Sequence, residues 1–289
     1  MTIVVGVDGS ANGRAALRWA TRWAEATGAE LVAATSWQYP RTAALPGGPE
    51  LAPPELMDEV AENDLRSTVV EELGTSAGAV AVRVERGPAA WALLEMAQLE
   101  NASLLVVGTR GLGALRGRLL GSVSRRVAEC STCPVAIVPL AAGAADHVQA
   151  GPIVVGVDGS PGATRALDWA ITAAEPRGLD IVLVHGLGGI PAELGPSAID
   201  RFVDQAKQLV DRHAHRVSGA GLHAIKMVRV EDPRHLIRVA AQEYDTTAVV
   251  LGSQGDGPVS GVLIGSVVTH VAQHSDHPVV IVPEPGQRR

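Results

Sequence analysis

One spacing of glycines occurs twice in the chain, and it is suited to holding an anion. The pattern G-x2-G-x9-G-S spans residues 108–122 and returns at residues 252–266. Glycine lets backbone N–H groups approach an anion, and the first turn of a following helix adds unpaired N–H groups and a positive dipole end. The pattern therefore predicts two phosphate-binding loops. Their glycines and closing serines are Gly108, Gly111, Gly113, Gly117, Gly121 and Ser122 in the first and Gly252, Gly255, Gly257, Gly261, Gly265 and Ser266 in the second.

A carboxylate follows the first predicted strand of each half, in the repeated sequence VDGS. These residues are Asp8 and Asp158. Either carboxylate can face a ligand or a divalent metal, but it can equally help to cap the helix that follows. Ser122 and Ser266 can likewise be plain helix caps, and the glycines can form a tight turn that holds nothing. The residues alone leave these alternatives open.

Three common nucleotide and hydrolase motifs are absent. A Walker A loop needs a lysine after its second glycine, and the first lysine of the chain is Lys207. The dinucleotide pattern GxGxxG does not follow the first strand. The spacing G-x-S-x-G occurs once, at residues 74–78, but it follows a predicted helix and precedes a strand, so it is not the strand-to-helix elbow of a hydrolase. The repeated glycine spacing is thus the remaining signal for a binding site.

The length indicates two domains, and the composition predicts no general affinity for nucleic acid or membranes. The chain has 289 residues, of which 46% are hydrophobic and 3% aromatic, so an aliphatic core is expected. The net charge of -7 disfavours binding to nucleic acid. We expect no membrane segment, because no run approaches 18 apolar residues, and we expect a cytoplasmic location.

The two halves are copies of one another. The sequence IVVGVDGS at residues 3–10 returns unchanged at 153–160, and PVAIVP at 134–139 returns as PVVIVP at 278–283. A repeat of whole-domain length indicates tandem duplication. We predict one domain over residues 1–140, a flexible linker over 141–151 and a second domain over 152–289.

Each copy alternates predicted strands and helices, which indicates a doubly wound α/β fold. We predict two tandem five-stranded parallel sheets, each in the order 3-2-1-4-5. The ligand crevice of such a sheet lies at the carboxyl ends of strands one and four, where the order reverses. This topology places Asp8 and the first glycine loop together.

The two cysteines, Cys130 and Cys133, are spaced as CSTC, and the second half has His274 and His277 at the equivalent positions. The pair could form a redox couple or half of a zinc site. A zinc site built from all four residues would need two helix ends to meet between the halves. The alternative is that both cysteines simply end a helix before a core strand.

With VDGS after strand one and the doubled glycine signature after strand four, the chain resembles the universal stress protein family, in its tandem, ATP-binding, actinobacterial-like form. The resemblance covers nearly the whole chain and implies an adenine nucleotide alpha hydrolase-like fold that binds ATP. It leaves open whether Mg²⁺ accompanies the ATP. It implies phosphate and ribose contacts at the loop glycines and serines, and adenine near Ser36. The further residues implied at the two sites are Gly6, Asp8, Arg116, Val123 and Ser124 in the first half and Gly156, Asp158 and Val267 in the second.

The leading functional hypothesis is an ATP-binding regulator or sensor in the stress response, read by a protein partner that the sequence does not identify. ATP hydrolysis is expected to be slow or absent, since Asp8 is the one candidate base at the mouth of the first crevice. A weak ATPase or nucleotidyl-transfer enzyme and a redox or metal module at the cysteines are the alternatives. The resemblance also implies dimers through strand five and its flanks, formed here by the two halves as a pseudo-dimer within the chain, and it leaves a homodimer open.

The two sites are predicted to differ in affinity. Residues 108–126 contain five arginines and no acid, whereas residues 252–270 contain Asp256 and no lysine or arginine. A triphosphate should therefore prefer the first domain.

Overall fold

The computed structural model describes residues 1–39, 51–111, 119–143, 151–189, 195–255 and 264–284. Its strands are β1 Thr2–Gly6, β2 Glu30–Trp37, β3 Val80–Arg86, β4 Ala102–Gly108, β5 Val135–Val138, β6 Ile153–Gly156, β7 Ile181–Gly186, β8 Ala224–Arg229, β9 Ala248–Gly252 and β10 Val279–Val282. Its α-helices are α1 Ala11–Thr27, α2 Pro54–Leu73, α3 Ala89–Leu99, α4 Ser122–Cys130, α5 Leu140–Gly143, α6 Pro161–Ala174, α7 Pro196–Gly219, α8 Pro233–Glu243 and α9 Ser266–His274.

Local sequence explains where these elements begin and end. The central strands are runs of Val, Ile and Leu that are buried on both faces, as expected for a parallel sheet covered by helices. Helix α1 begins at its N-cap Ser10, whose side chain accepts a hydrogen bond from the Gly13 N–H. It ends at Gly28, which has the left-handed φ of 66° that glycine adopts without strain.

The predicted α/β class and strand order are confirmed, but the two sheets are joined. All ten strands form one sheet in the order β3-β2-β1-β4-β5-β10-β9-β6-β7-β8. Pairing is parallel within each half, and β5 and β10 pair antiparallel, with Val280 opposite Ala136. We call this pairing the seam. It satisfies the backbone groups of two strands that would otherwise be exposed edges, which is why separate sheets are not found.

The predicted linker is partly helical. Its start forms the short helix α5, and Ala142 in this helix is buried. The Arg22 side chain donates a hydrogen bond to the carbonyl oxygen of Ala142 at 3.0 Å, which ties α5 to α1. Residues 144–150 lie outside the described residues, and the exact domain limits stay a prediction.

Tryptophans from both halves pack against each other beside the seam. The Trp23 ring of α1 stacks on Trp19 at 4.8 Å and on Trp169 of α6 at 5.9 Å between ring centroids. The Arg177 guanidinium lies 4.8 Å from the centroid of the Trp23 ring. This cluster connects α1 to α6 across the two halves, so Trp19 and Trp169 have a packing role.

None of the helices in the described part of the chain combines the length and apolarity needed to cross a bilayer.

Candidate functional site

The first half has a cavity at the carboxyl ends of β1 and β4, where the strand order reverses. Its volume is about 330 Å³. Nine of the predicted site residues line it: Gly6, Asp8, Ser36, Gly108, Gly111, Gly121, Ser122, Val123 and Ser124. The other three predicted for this half, Gly113, Arg116 and Gly117, lie outside the described residues.

The second half has the equivalent cavity at the ends of β6 and β9, and it is larger, at about 640 Å³. Seven of the predicted residues line it: Gly156, Asp158, Gly252, Gly255, Gly265, Ser266 and Val267. Gly257 and Gly261 lie outside the described residues. The structure therefore brings the predicted strand-one and strand-four residues together in both halves.

The aspartate after strand one sits directly against the glycine loop. In the first half, Asp8 Oδ1 accepts a hydrogen bond from the Ser10 N–H at 3.0 Å, so this oxygen does support the start of α1. A Cβ atom on Gly111 would lie 2.3 Å from Asp8 Oδ2. Asp158 and Gly255 repeat the arrangement at 2.4 Å. A side chain at either loop position would therefore have to displace the carboxylate from its place against the loop.

The first glycine of each loop has a packing role. A Cβ on Gly108 would lie 2.7 Å from the backbone carbonyl of Asn12 in α1, and one on Gly252 would lie 2.5 Å from the backbone of Gly162 in α6. Such distances are too short for any side chain. Part of the glycine spacing is therefore explained by the close approach of a strand end to a helix, without a ligand.

The loops end at helix N-termini that open on the cavities. The N-caps of α4 and α9 are Gly121 and Gly265, and neither helix has a side-chain hydrogen bond at its cap. The alternative that Ser122 and Ser266 are the N-caps is therefore wrong, since they are the first helical residues. The N–H groups of a first turn lack partners within the helix. Both cavities thus offer backbone donors and an exposed serine to an anion.

Ser124 differs in role from Ser122. Its hydroxyl lies 3.0 Å from the carbonyl oxygens of Thr109 and Gly121, to either of which it can donate, and the residue is buried. The hydroxyl therefore holds the two ends of the loop together. In the second half Val268 stands in its place, so this difference changes the support of the loop.

Among the described arginines of residues 108–126, Arg110 is the one that lines the first cavity. Gln254 takes the equivalent position in the second cavity. Arg125 and Arg126 on α4 instead lie within 4.0 Å of Glu129, at 3.8 and 3.9 Å. Arg116 and Arg118 lie outside the described residues. Among the described residues, the charge difference between the cavities thus rests on Arg110, which was not among the site residues predicted from the sequence.

A histidine that sequence reasoning missed lines the second cavity. His185, near the end of β7, has its Nδ1 atom 2.6 Å from the carbonyl oxygen of Val157. Thr35 lines the first cavity at the equivalent position, 150 residues earlier. Comparing the two copies position by position gives the signal that could have found it.

The cysteines are unpaired and half-buried against the core. Burial raises the pKa of the Cys133 thiol, which lies 3.4 Å from the Ser131 hydroxyl. A raised pKa lowers the thiolate fraction and opposes the reactivity of a redox couple. Within the described residues, no group of three or more His, Cys, Asp or Glu side chains is arranged to hold a metal ion.

We expect Cys133 to react with iodoacetamide at pH 8 more slowly than a free cysteine, because burial keeps the thiol protonated and covered. The measurement is mass spectrometry of the labelled chain over time, with denatured protein as the control. Rapid labelling of the folded chain at Cys133 would instead support the redox alternative.

The fold and its cavities define a class: doubly wound α/β proteins with a ligand crevice at the switch point of the strands. The sequence profile described as "Universal stress protein family" matches residues 1–139 and 150–283. The chain therefore belongs to the universal stress protein family, with two of its domains in tandem.

Individual relatives and solved structures are similar to this chain. A universal stress protein of Mycolicibacterium smegmatis is 33% identical over 97% of this chain and 96% of its own length. The crystal structure of a universal stress protein from Archaeoglobus fulgidus has a TM-score of 0.69 at 21% identity and covers 98% of both chains, which shows the shared fold. Another Archaeoglobus fulgidus universal stress protein, solved in complex with dAMP, is 28% identical over 46% of this chain and 97% of its own, with a TM-score of 0.37.

Proposed function

We propose that each half of the chain binds an adenine nucleotide in its cavity, with the phosphates against the glycine loop and the first turn of α4 or α9. One observation carries the proposal: a helix N-terminus without a side-chain cap opens on a cavity lined by glycine backbone. Backbone N–H groups and the helix dipole together favour a phosphate at such a place. ATP is the nucleotide that the family resemblance implies.

Asp8 is the residue suited to a divalent ion carried by the nucleotide. Mg²⁺ is commonly held by one or two carboxylates together with the phosphates of the substrate. Asp8 supplies one such carboxylate between β1 and the loop, and Asp158 supplies its equivalent. A bound Mg²⁺ would reduce the repulsion between the carboxylate and the phosphates.

The role that we propose is regulatory. Among the described residues that line the first cavity, the titratable side chains are Asp8 and Arg110, and no second base accompanies Asp8. Hydrolysis would need a group that orients water, whereas binding needs only the loop and the helix. We therefore assign the chain to nucleotide-dependent regulation in the cytoplasmic stress response, with the loop surface read by a protein partner.

The test is to denature freshly purified protein and to identify the small molecules released by mass spectrometry, followed by calorimetry with ATP, ADP and AMP. The proposal expects an adenine nucleotide in the released fraction or saturable binding to the emptied protein. The absence of both would contradict it. Release of phosphate that is abolished by Gly111→Ala would favour the weak ATPase.

The preference for the first cavity should follow Arg110. We expect Arg110→Gln to weaken ATP binding there by about tenfold, because a charge at about 4 Å from a phosphate is worth on the order of 1 to 4 kcal/mol near a surface. The reciprocal Gln254→Arg should strengthen binding in the second cavity. Calorimetry must use the full chain, since separated halves would expose β5 and β10. Equal affinities of the two sites in the unmodified protein would refute the prediction.

A further inference from the structure

Histidine is distributed unequally between the two copies of the domain. The chain has nine histidines, and none of them lies in residues 1–146. Histidine is the side chain whose ordinary pKa, about 6.5, places its change of charge between pH 5 and 8. When the pH falls from neutral into the mildly acidic range, proton uptake by side chains is therefore concentrated in the second half.

His213 is the histidine that lies in the core among the described residues, with 8% of its surface exposed. It belongs to the buried stripe of α7, between Val210 and Val217, both of which are fully buried. Its Nδ1 atom is buried and has no hydrogen-bond partner in the part of the chain that the structure describes. Burying a charge without a hydrogen-bond partner is costly, so this position suits the neutral ring.

The charged groups around His213 also favour the neutral ring. Burial lowers the pKa of His213 below its ordinary value, and Arg216 and Arg212 on the same helix lower it further. Asp158 at the end of β6 and Asp168 of α6 act in the opposite direction but do not reverse the shift. The folded second half therefore holds His213 as an uncharged ring at neutral pH.

The strands that pack against α7 contribute two further ionisable groups, and each has a partner of its own. Lys226 of β8 lies 2.7 Å from Asp211 of α7, measured from Nζ to Oδ1. His185 of β7 has its Nδ1 atom 2.6 Å from the Val157 carbonyl oxygen. His213 differs from both, because no described residue is bonded to its buried nitrogen.

Helix α7 also packs on the turn that carries Asp158. A Cβ on Gly159 would lie 2.9 Å from Leu209 Cδ1, so α7 reaches this turn one helical turn before His213. Asp158 in turn lines the second cavity. At the equivalent position of the first half, a Cβ on Gly9 would have no described atom within 4 Å. A loosened α7 would thus weaken one wall of the second cavity.

We infer that the second half is an acid-responsive unit, in which proton uptake by His213 loosens α7 and the turn that carries Asp158 while the first half does not respond. The sign follows from the two states of the ring. In the opened segment the pKa of His213 returns to its ordinary value of about 6.5, and in the closed segment it is lower. The packing of α7 is therefore fully stable above about pH 6.5 and loses stability as the pH falls below this value.

The size of the effect follows from the same linkage. One pH unit below its ordinary pKa, an exposed histidine is about tenfold more often protonated than neutral. The population of the opened segment should therefore rise by up to about tenfold at pH 5.5. This inference concerns local opening of the chain and does not depend on a bound nucleotide.

Hydrogen–deuterium exchange of the full chain without added nucleotide tests the inference, read by mass spectrometry at pH 7.5 and pH 5.5. Rates are corrected for the intrinsic exchange at each pH. Peptides from α7 and from residues 158–160 should lose about threefold to tenfold in protection at pH 5.5, whereas peptides from α2 should change by less than about twofold. Helix α2 is the matched reference, because none of its buried residues titrates in this range: Leu65, Thr68 and Val69.

Three variants identify the responsible group. His213→Leu replaces the ring with an apolar side chain of similar size, and His213→Thr introduces a residue type that α2 buries. Each should show the same protection of α7 at both pH values, and the readout is the ratio within one variant, so a packing defect at pH 7.5 does not obscure it. His215→Gln is the control, because His215 is exposed two residues further along α7 and has its Nδ1 atom 2.7 Å from the Asp211 carbonyl oxygen. It should retain the full response.

Unchanged protection of α7 between the two pH values in the unmodified chain would overturn the inference, as would an equal loss in α2 and α7. A response that survives both His213 variants, or that disappears with His215→Gln, would overturn the role of His213. The outcome is separate from the test of nucleotide binding, since the exchange experiment contains no nucleotide.

Discussion

Ser122→Asp should lower the affinity of the first cavity for ATP by about tenfold to a few hundredfold while leaving the fold intact. Ser122 is the exposed first residue of α4 and lines the cavity. A carboxylate here would lie beside the proposed phosphate site, where like charges at about 4 Å repel by on the order of 1 to 4 kcal/mol. The same carboxylate is favourable for the helix, because α4 has no acidic residue in its first turn to complement the dipole.

Calorimetry of the full chain measures this effect, and the second half provides the matched control. Ser266→Asp makes the identical change at the first residue of α9, so it should remove the weaker ATP-binding phase and keep the tighter one. The thermal midpoint should be unchanged or slightly higher in both variants. Unaltered ATP binding in the two variants together would show that phosphates do not bind at these helix ends.

Trp23→Ala should reduce the free energy of unfolding by about 3 to 5 kcal/mol, the usual cost of replacing a buried tryptophan with alanine. Trp23 is 5% exposed, and it contacts Trp19, Trp169 and Arg177. The replacement leaves a cavity where α1 of the first half meets α6 of the second. Urea denaturation followed by circular dichroism measures the change.

Trp91→Ala is the control for this prediction, because Trp91 is 48% exposed and its ring has the Arg126 guanidinium at 5.5 Å. An exposed cation–π contact contributes about 0.5 to 1 kcal/mol, so the loss should be small. If Trp23→Ala cost no more than Trp91→Ala, the tryptophan cluster would not stabilise the contact between the halves.

Much of the fold follows from the sequence because the chain contains its own comparison. The repeated IVVGVDGS and the alternation of strands and helices predicted the parallel order of each half. A repeat describes each copy alone, so contact through strand five was implied only by the family resemblance, and the joining of β5 and β10 into one continuous sheet was not predicted. Helix α5 was missed because Leu140 to Gly143 is a single short turn, whose stability comes from packing on α1.

The site was predictable where the glycine spacing recurs in both copies. Positions 111 and 255 belong to that repeated spacing, and each lies against the aspartate that follows strand one, Asp8 or Asp158. His185 was missed because a lone histidine in a strand has no spacing rule, and its importance comes from the Val157 carbonyl that orients it. The arginine count describes the charge of the first cavity only in part. It cannot distinguish Arg110, which lines the cavity, from Arg126, which lies near Glu129 on α4.

The antiparallel pairing of β5 and β10 has a consequence for any molecule that recognises both cavities. Since the strands of the two halves run in opposite directions, their carboxyl ends lie at opposite margins of the sheet, and the two cavities face away from each other. Helix α9 extends from one margin toward the other over nine residues, about 14 Å. A single compact partner docked at one margin would therefore contact only one of the two cavities. Two such partners could bind at the same time without colliding.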